Sequence, residues 1–158
     1  MESLVSDAMK AMPTTSDGLE VGQANITVIG CGGGGNNMVS WLHKKGIQGA
    51  KIFAINTDLQ HLNITDADHK VLIGKELTRG LGCGGYPQKG TEAAKESLHE
   101  LKGLLKDCDM AFICAGMGGG TGTGSSHENL AQSLSEQSPC RSMLNAHVLT
   151  KLNLDYNS

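Results

Sequence analysis

A chain of 158 residues, 39% hydrophobic but only 3% aromatic, holds enough apolar material for one domain with a core of Ile, Leu, Val, Ala and Met. With 13 basic and 16 acidic residues its formal net charge is −3, which excludes a basic nucleic-acid surface. An odd count of 5 cysteines without a CxxC pair, and no apolar run of membrane-spanning length, exclude a disulfide scaffold, a cysteine metal site and membrane insertion; a cytoplasmic protein with reduced thiols is expected.

Residues 1–24 mix polar and small side chains with scattered Met and read as a flexible arm, with a short helix around residues 4–12 that ends before Pro13. Residues 25–29 form a predicted strand that empties into a glycine loop, Gly30-Cys31-Gly32-Gly33-Gly34-Gly35. Asn36 is the expected N-cap of the next helix; Met38, Val39, Trp41 and Leu42 make its apolar face, and Gly46 stops it. Trp41 is thereby assigned to the core. Residues 51–55 are a second strand, with Asn56, Thr57 and Asp58 just beyond its end. Residues 71–73 are a short third strand, followed by a glycine-dense stretch over residues 78–85. Residues 91–106 carry the best helical period, with Ala94, Leu98, Leu101 and Leu105 on one face. Residues 110–114 are a fourth strand that opens into Gly118-Gly119-Gly120-Thr121-Gly122-Thr123-Gly124. Beyond it, Leu130 and Leu134 are spaced to face a sheet from a helix capped at Ser125 or Ser126, and residues 141–158 show no clear period.

Strand, loop and helix in repetition predict βαβ units, hence an α/β fold with a mostly parallel sheet. The strands are apolar without alternation, as expected where both faces are covered. Ligands of such sheets bind at the carboxyl ends of the strands, which both glycine loops, residues 56–58 and residues 78–85 can reach. A strand that runs into glycines at a helix N-terminus brings free N–H groups close to an anion, so two such loops point to a ligand with several phosphates.

The first loop matches G-x-G-x-x-G through Gly30, Gly32 and Gly35, with Asp58 after the next strand, which is the dinucleotide-binding pattern. That pattern needs no second glycine loop after strand four. A Walker A reading fails because Asn36 and Asn37 stand where Lys and Ser or Thr belong. Phosphate binding then rests on backbone amides and a metal ion, without the usual lysine; Arg79 is a weaker candidate. The cysteines Cys31, Cys83 and Cys114 read as small packing residues and the 6 histidines as surface or local packing. Asp66 and Asp68 read as a solvated loop, not a metal cluster.

The loop Gly118 to Gly124 resembles the signature of the tubulin/FtsZ family of polymerising GTPases. In order and spacing, Gly30 to Asn37, Ala54-Ile55-Asn56-Thr57-Asp58 and Leu77-Thr78-Arg79-Gly80-Leu81-Gly82 resemble the first three nucleotide loops of its FtsZ branch. The resemblance runs from about Asn25 to Ser126. It implies the N-terminal half of a three-layer, Rossmann-like GTPase domain over residues 25–126, binding GTP with Mg²⁺ through the nucleotide phosphates. It implies that Gly32, Gly33, Gly34, Gly35, Asn36 and Asn37 hold the diphosphate, and that Gly119, Gly120, Thr121 and Gly122 wrap the phosphates. Thr123 and Gly124 complete that helix N-terminus; Cys83, Gly84 and Gly85 sense the γ-phosphate; Asp58 lies near the nucleotide and the subunit contact. The implied partners are GTP or GDP and further FtsZ-like subunits, through self-association or full-length copies, in cell division.

Past Ser126 the resemblance stops, and residues 127–158 read as a divergent tail, the product of a truncated or frameshifted reading frame, disordered after Pro139. In the family, the ribose- and guanine-contacting segments, the central helix and the acidic catalytic loop follow this point. No catalytic residue and no metal ligand is therefore assigned, and strand four is expected to be left as a bare edge. Two alternatives stay open: a non-enzymatic fragment that docks on or caps FtsZ-like filaments, and an NAD-binding oxidoreductase module.

Overall fold

The apolar run Ile26–Cys31 forms β1, the middle strand of the sheet, in a computed structural model that describes residues 24–104, 106–126, 130 and 141–143. The other strands are β2 (Ala50–Asn56), β3 (His69–Leu72), β4 (Met110–Ala115) and β5 (Arg141–Met143). They lie in the order β3-β2-β1-β4-β5, and every neighbouring pair is parallel. On β1, Ile26 faces Ala50 of β2 on one side and Met110 of β4 on the other, and Cys31 faces Ile55 and Ala115. Parallel neighbours require crossover connections, and these are supplied by helices.

The helices are α1 (Gly32–Lys44), α2 (Leu59–Ile64), α3 (Lys75–Thr78), α4 (Pro87–Glu96), α5 (Leu98–Leu104) and α6 (Gly120–Ser125). Successive residues of a strand point to opposite faces, so the sheet feeds two cores. Ile29, Phe53, Ile55 and Ile113 pack with Ala93 and Ala94 of α4 and Leu101 of α5. Val28, Ile52, Ala54 and Cys114 pack with Val39 of α1 and Leu62 of α2. The result is the three-layer α/β arrangement expected from the sequence. Among the described residues, no helix is long and apolar enough to cross a membrane.

Four local expectations are corrected. Asn36 is not the N-cap of α1: the helix starts at Gly32, directly after the strand, and Asn36 sits buried inside it. Trp41 is not core; it is 59% exposed, with Lys45 Nζ 5.4 Å from its ring centroid, and Val39 takes the buried position. The period over residues 91–106 is interrupted at Ser97, whose φ of −96° and ψ of 9° separate α4 from α5. The cause is tertiary. The Ser97 hydroxyl accepts the Gly74 N–H at 3.0 Å, and the Glu96 carboxylate accepts the N–H groups of Glu76 and Leu77 at 3.1 and 3.2 Å. The end of α4 thereby satisfies the free donors at the start of α3. Finally, β4 is not a bare edge, because β5 pairs with it through Met110↔Arg141 to Phe112↔Met143. The expected N-terminal helix, Leu134, Cys140 and the chain beyond Met143 lie outside the described residues.

The loop carrying Asp66 and Asp68 is tied to α1. The Ser40 hydroxyl and Lys44 Nζ reach Asp66 at 3.3 and 3.2 Å, and Lys44 holds its carboxyl below the usual carboxylate range. Asp68 accepts the Ile52 N–H at 2.7 Å.

Burial pushes the Cys31 thiol from 9.0 up to about 12, against a lesser opposing effect of its hydrogen bond with Ser125. Within that window the unfolded thiol gives up its proton and the folded one keeps it. The stability linked to the neutral thiol is therefore full below 9.0 and falls as the pH rises towards about 12. Urea unfolding above pH 9.0 should show a steeper loss of stability for the parent chain than for Cys31→Ala, with equal slopes at neutral pH.

Candidate functional site

The strands β1, β2 and β4 end at one edge of the sheet, and each ends in a loop with a small or polar residue in place of the apolar run. β1 passes into α1 at Gly32, whose φ of 68° only glycine adopts without strain. A Cβ there would lie 2.6 Å from the backbone nitrogen of Gly122, so the first and last loops are in backbone contact. β2 ends in Asn56, followed by Thr57 and then Asp58, the N-cap of α2. β4 runs through Gly116 to Gly119 into α6.

The third loop, between α3 and α4, is clipped to the end of β2. Gly82 N–H donates to Thr57 O at 3.1 Å, Leu59 N–H donates to Gly80 O at 3.0 Å, and Asp58 bridges Leu81. Together the four loops enclose a cleft of about 520 Å³. Of the residues singled out in the sequence, Gly33, Gly34, Asp58, Cys83, Gly84, Gly85, Gly119, Gly120, Thr121 and Gly122 line it. Asn56, His61, Leu81, Gly82, Gly116 and Met117 line it too, and were not among the candidates.

The remaining candidates are not part of the described lining. A Cβ on Gly35 would meet the Cys114 carbonyl, and one on Gly124 the Pro87 carbonyl, so these two glycines allow α1 and α6 to pack closely on their neighbours. Gly32 makes the contact with Gly122. Thr123 accepts the Gly118 N–H on its hydroxyl at 3.1 Å and so pins the signature loop. Asn37 is exposed on α1. Asn36 is fully buried, and neither its amide nitrogen nor its oxygen has a hydrogen-bond partner among the described residues.

Thr57 is the node beneath the cleft. It is fully buried, and its hydroxyl lies 2.7 Å from the Thr121 hydroxyl and 3.4 Å from Cys83 Sγ. Its carbonyl accepts from the Thr78 hydroxyl at 3.2 Å as well as from Gly82 N–H. One side chain thus joins the end of β2, the third loop and the signature loop. The Ser125 hydroxyl donates to Thr121 O at 2.7 Å, fixing α6 beneath them.

Among the described residues no lysine or arginine lines the cleft, and Arg79 is exposed outside it. The available donors are mainly backbone N–H groups, among them those of the first turn of α1, which have no partner within the helix, with the Thr121 hydroxyl and the side chains of Asn56 and His61 also in the lining. This donor set suits an oxygen-rich anion. Among the described residues, no group of three His, Cys, Asp or Glu is placed to hold a metal ion.

The protein-family model described as Tubulin/FtsZ family, GTPase domain, matches residues 25–153. The chain is similar to Cell division protein FtsZ 1 of Methanocaldococcus jannaschii, 61% identical over 107 residues, which cover 68% of this chain and 29% of that protein. It is also similar to FtsZ 2 of the same organism, 54% identical over 125 residues, covering 77% of this chain and 32% of that protein. Among solved structures, an empty FtsZ dimer from M. jannaschii superposes with a TM-score of 0.71 at 46% identity, covering 89% of this chain and 38% of that one. The chain spans about a third of the length of the curated relatives it matches. The loop resemblance therefore holds, and the NAD-binding oxidoreductase reading falls.

The Thr57 node makes a prediction about stability. Thr57→Val keeps the shape but strands the Thr121 hydroxyl in a buried site, at a cost of about 1–3 kcal/mol. Thr57→Ser keeps the hydroxyl and should recover most of the loss. Urea unfolding of the three chains measures both effects.

Proposed function

This chain belongs to the tubulin/FtsZ family of GTPase domains, and we propose that its cleft holds the phosphates of GTP, as the phosphate half of a nucleotide site. The observation that carries this reading is the convergence of four loops on one glycine-lined cleft that offers amide and hydroxyl donors and, among the described residues, no lysine or arginine. In this reading Gly33 and Gly34 present amides to the diphosphate, Gly120 to Gly122 close over it, and Cys83 to Gly85 face the terminal phosphate. Of the remaining candidates, Gly32, Gly35, Asn36, Thr123 and Gly124 shape the two loops from behind, and Asn37 lies exposed on α1 next to the first loop. Mg²⁺ fits as an ion carried by the phosphates, because the described cleft has one carboxylate, Asp58, and no ligand cluster. When bound, it would neutralise the phosphate charge that elsewhere falls to a lysine.

The wider role we propose is that of a cytoplasmic cell-division protein that meets further FtsZ-like subunits head to tail. Hydrolysis then depends on a composite site, with the water-positioning carboxylates supplied by the neighbouring subunit. Positioning and charge stabilisation are most of what a phosphoryl-transfer enzyme contributes. The domain limits we propose are an arm over residues 1–24, a nucleotide unit over residues 25–126 and a segment over residues 127–158 whose residues 141–143 add β5 to the sheet of that unit.

Two measurements test this. Calorimetry with GTP, GDP and NAD, with and without Mg²⁺, should show triphosphate favoured and metal required; preferential NAD binding would overturn the reading. Phosphate release from the purified chain over a concentration series should stay at background. Release that grows with concentration and vanishes in Thr121→Ala would mean that the chain completes a catalytic site with its own copies.

A further inference from the structure

Asn56, the last residue of β2, has its side-chain orientation fixed by its neighbours. Its oxygen lies 2.9 Å from the Thr57 backbone nitrogen and 3.3 Å from that of Asp58. Both are N–H donors, so the atom they meet must be the amide oxygen. The amide nitrogen is then the atom that lies 3.5 Å from His61 Nδ1. An amide nitrogen donates and does not accept, so in this contact Nδ1 is the acceptor. In the neutral ring the proton is left on Nε2.

Nε2 is the polar end that faces the cleft. It is the nearest atom to the open side of Gly33, 3.9 Å from the point where a Cβ on Gly33 would sit. Gly33 and His61 both line the cleft. The backbone around His61 is held at both ends. Its N–H donates to Asp58 Oδ1 at 3.1 Å, and its carbonyl accepts the Thr65 hydroxyl at 2.8 Å. The other ionisable side chains of the lining are Asp58 and Cys83, neither of which is a cation. Among the described lining residues, His61 is thus the one ionisable side chain with a nitrogen donor to offer an anion above the α1 amides.

We propose that His61 is an anion-binding residue of this cleft, donating its Nε2–H to a phosphate oxygen held over Gly33 and Gly34. The proposal rests on the phosphate-binding reading above and adds a side chain to what is otherwise a backbone cradle. It does not require the ring to be charged, because the Asn56 contact already presents Nε2–H in the neutral state.

The test uses the whole 158-residue chain, with GDP, GTP and inorganic pyrophosphate as probes and Mg²⁺ present. His61→Ala should weaken binding of all three about tenfold, the loss expected for one hydrogen bond to a charged group. His61→Gln keeps an N–H donor and should recover most of the affinity, which a merely structural role for the ring would not predict. Ring ¹⁵N NMR of the parent chain should find the proton on Nε2 in the neutral ring, and the Nε2 signal should move when pyrophosphate is added. Equal binding by the parent and His61→Ala, or a proton on Nδ1, would overturn the His61 proposal and leave the phosphate reading standing. A parent chain that binds none of the three probes would overturn both.

Discussion

The close approach of two backbones, at Gly32 and Gly122, is the constraint on which the rest of the site depends. A Cβ on Gly32 would lie 2.6 Å from Gly122 nitrogen, and one on Gly122 would lie 2.7 Å from the Gly116 carbonyl oxygen. Such distances leave no room for a side chain on either residue. The contact joins the end of β1 to the start of α6, two segments about ninety positions apart in sequence. It exists because β1 and β4 are parallel neighbours in register from Ile26↔Met110 to Cys31↔Ala115, so both deliver their loops to the same edge. The sheet register, set by apolar packing on two faces, is thus what places the glycines face to face. Glycines alone would have made only turns.

For the anion proposed above, a described lining without lysine or arginine has consequences for how the cleft must be built. A lysine on a long side chain can reach a phosphate from a distance and tolerate some movement. Amide donors cannot move independently of the backbone, so their aim is only as good as the rigidity of the loops. The buried hydroxyls of Thr57, Thr78 and Thr121 supply that rigidity, crossing between loops where β-sheet hydrogen bonds have ended. Cys83, packed against both Thr57 and Gly120, closes the same layer with a small side chain.

Much of this was legible in the sequence, for a local reason. A both-faces-buried strand is an unbroken apolar run, and a helix N-terminus at its end needs glycine or a small polar residue; both signals lie within a few neighbouring positions. The strands at residues 26–31, 50–56 and 110–115 and the two glycine loops were therefore readable. What was not readable depends on distant partners. The break at Ser97 follows from the demand of α3 for acceptors, which no window around Ser97 contains. Trp41 points outward because Val39 fills the space against the sheet, and periodicity alone does not rank the two. His61 looked like one of several scattered histidines. The available signal was its place three residues after Asp58, a capping residue at a strand end, which sets it in the first turn above the cleft. β5 was invisible because residues 141–143 are too short to carry a period of their own and acquire strand form by pairing with β4.

Two residues that break local rules sit in the elements that frame the cleft, though neither lines it. Arg79 is the only described non-glycine residue with positive φ, at 51°, a conformation that costs about 1–2 kcal/mol for a residue with a Cβ. It turns the chain so that Gly80 can accept from Leu59 and Leu81 can bridge Asp58, which brings the third loop over the end of β2. Asn36 keeps a buried amide without a partner among the described residues directly behind the first glycine loop, where an apolar side chain would be better tolerated. Neither feature helps the fold by itself. Strain and unpaired polarity persist where the surrounding structure over-determines them, and such positions concentrate where a protein binds or reacts. Here the surrounding structure is the parallel sheet and its two apolar cores, whose burial of Ile29, Ile55 and Ile113 outweighs the local losses. The stable part of the molecule and its costly part are therefore one assembly, since the strands that make the core also end in the loops that make the cleft.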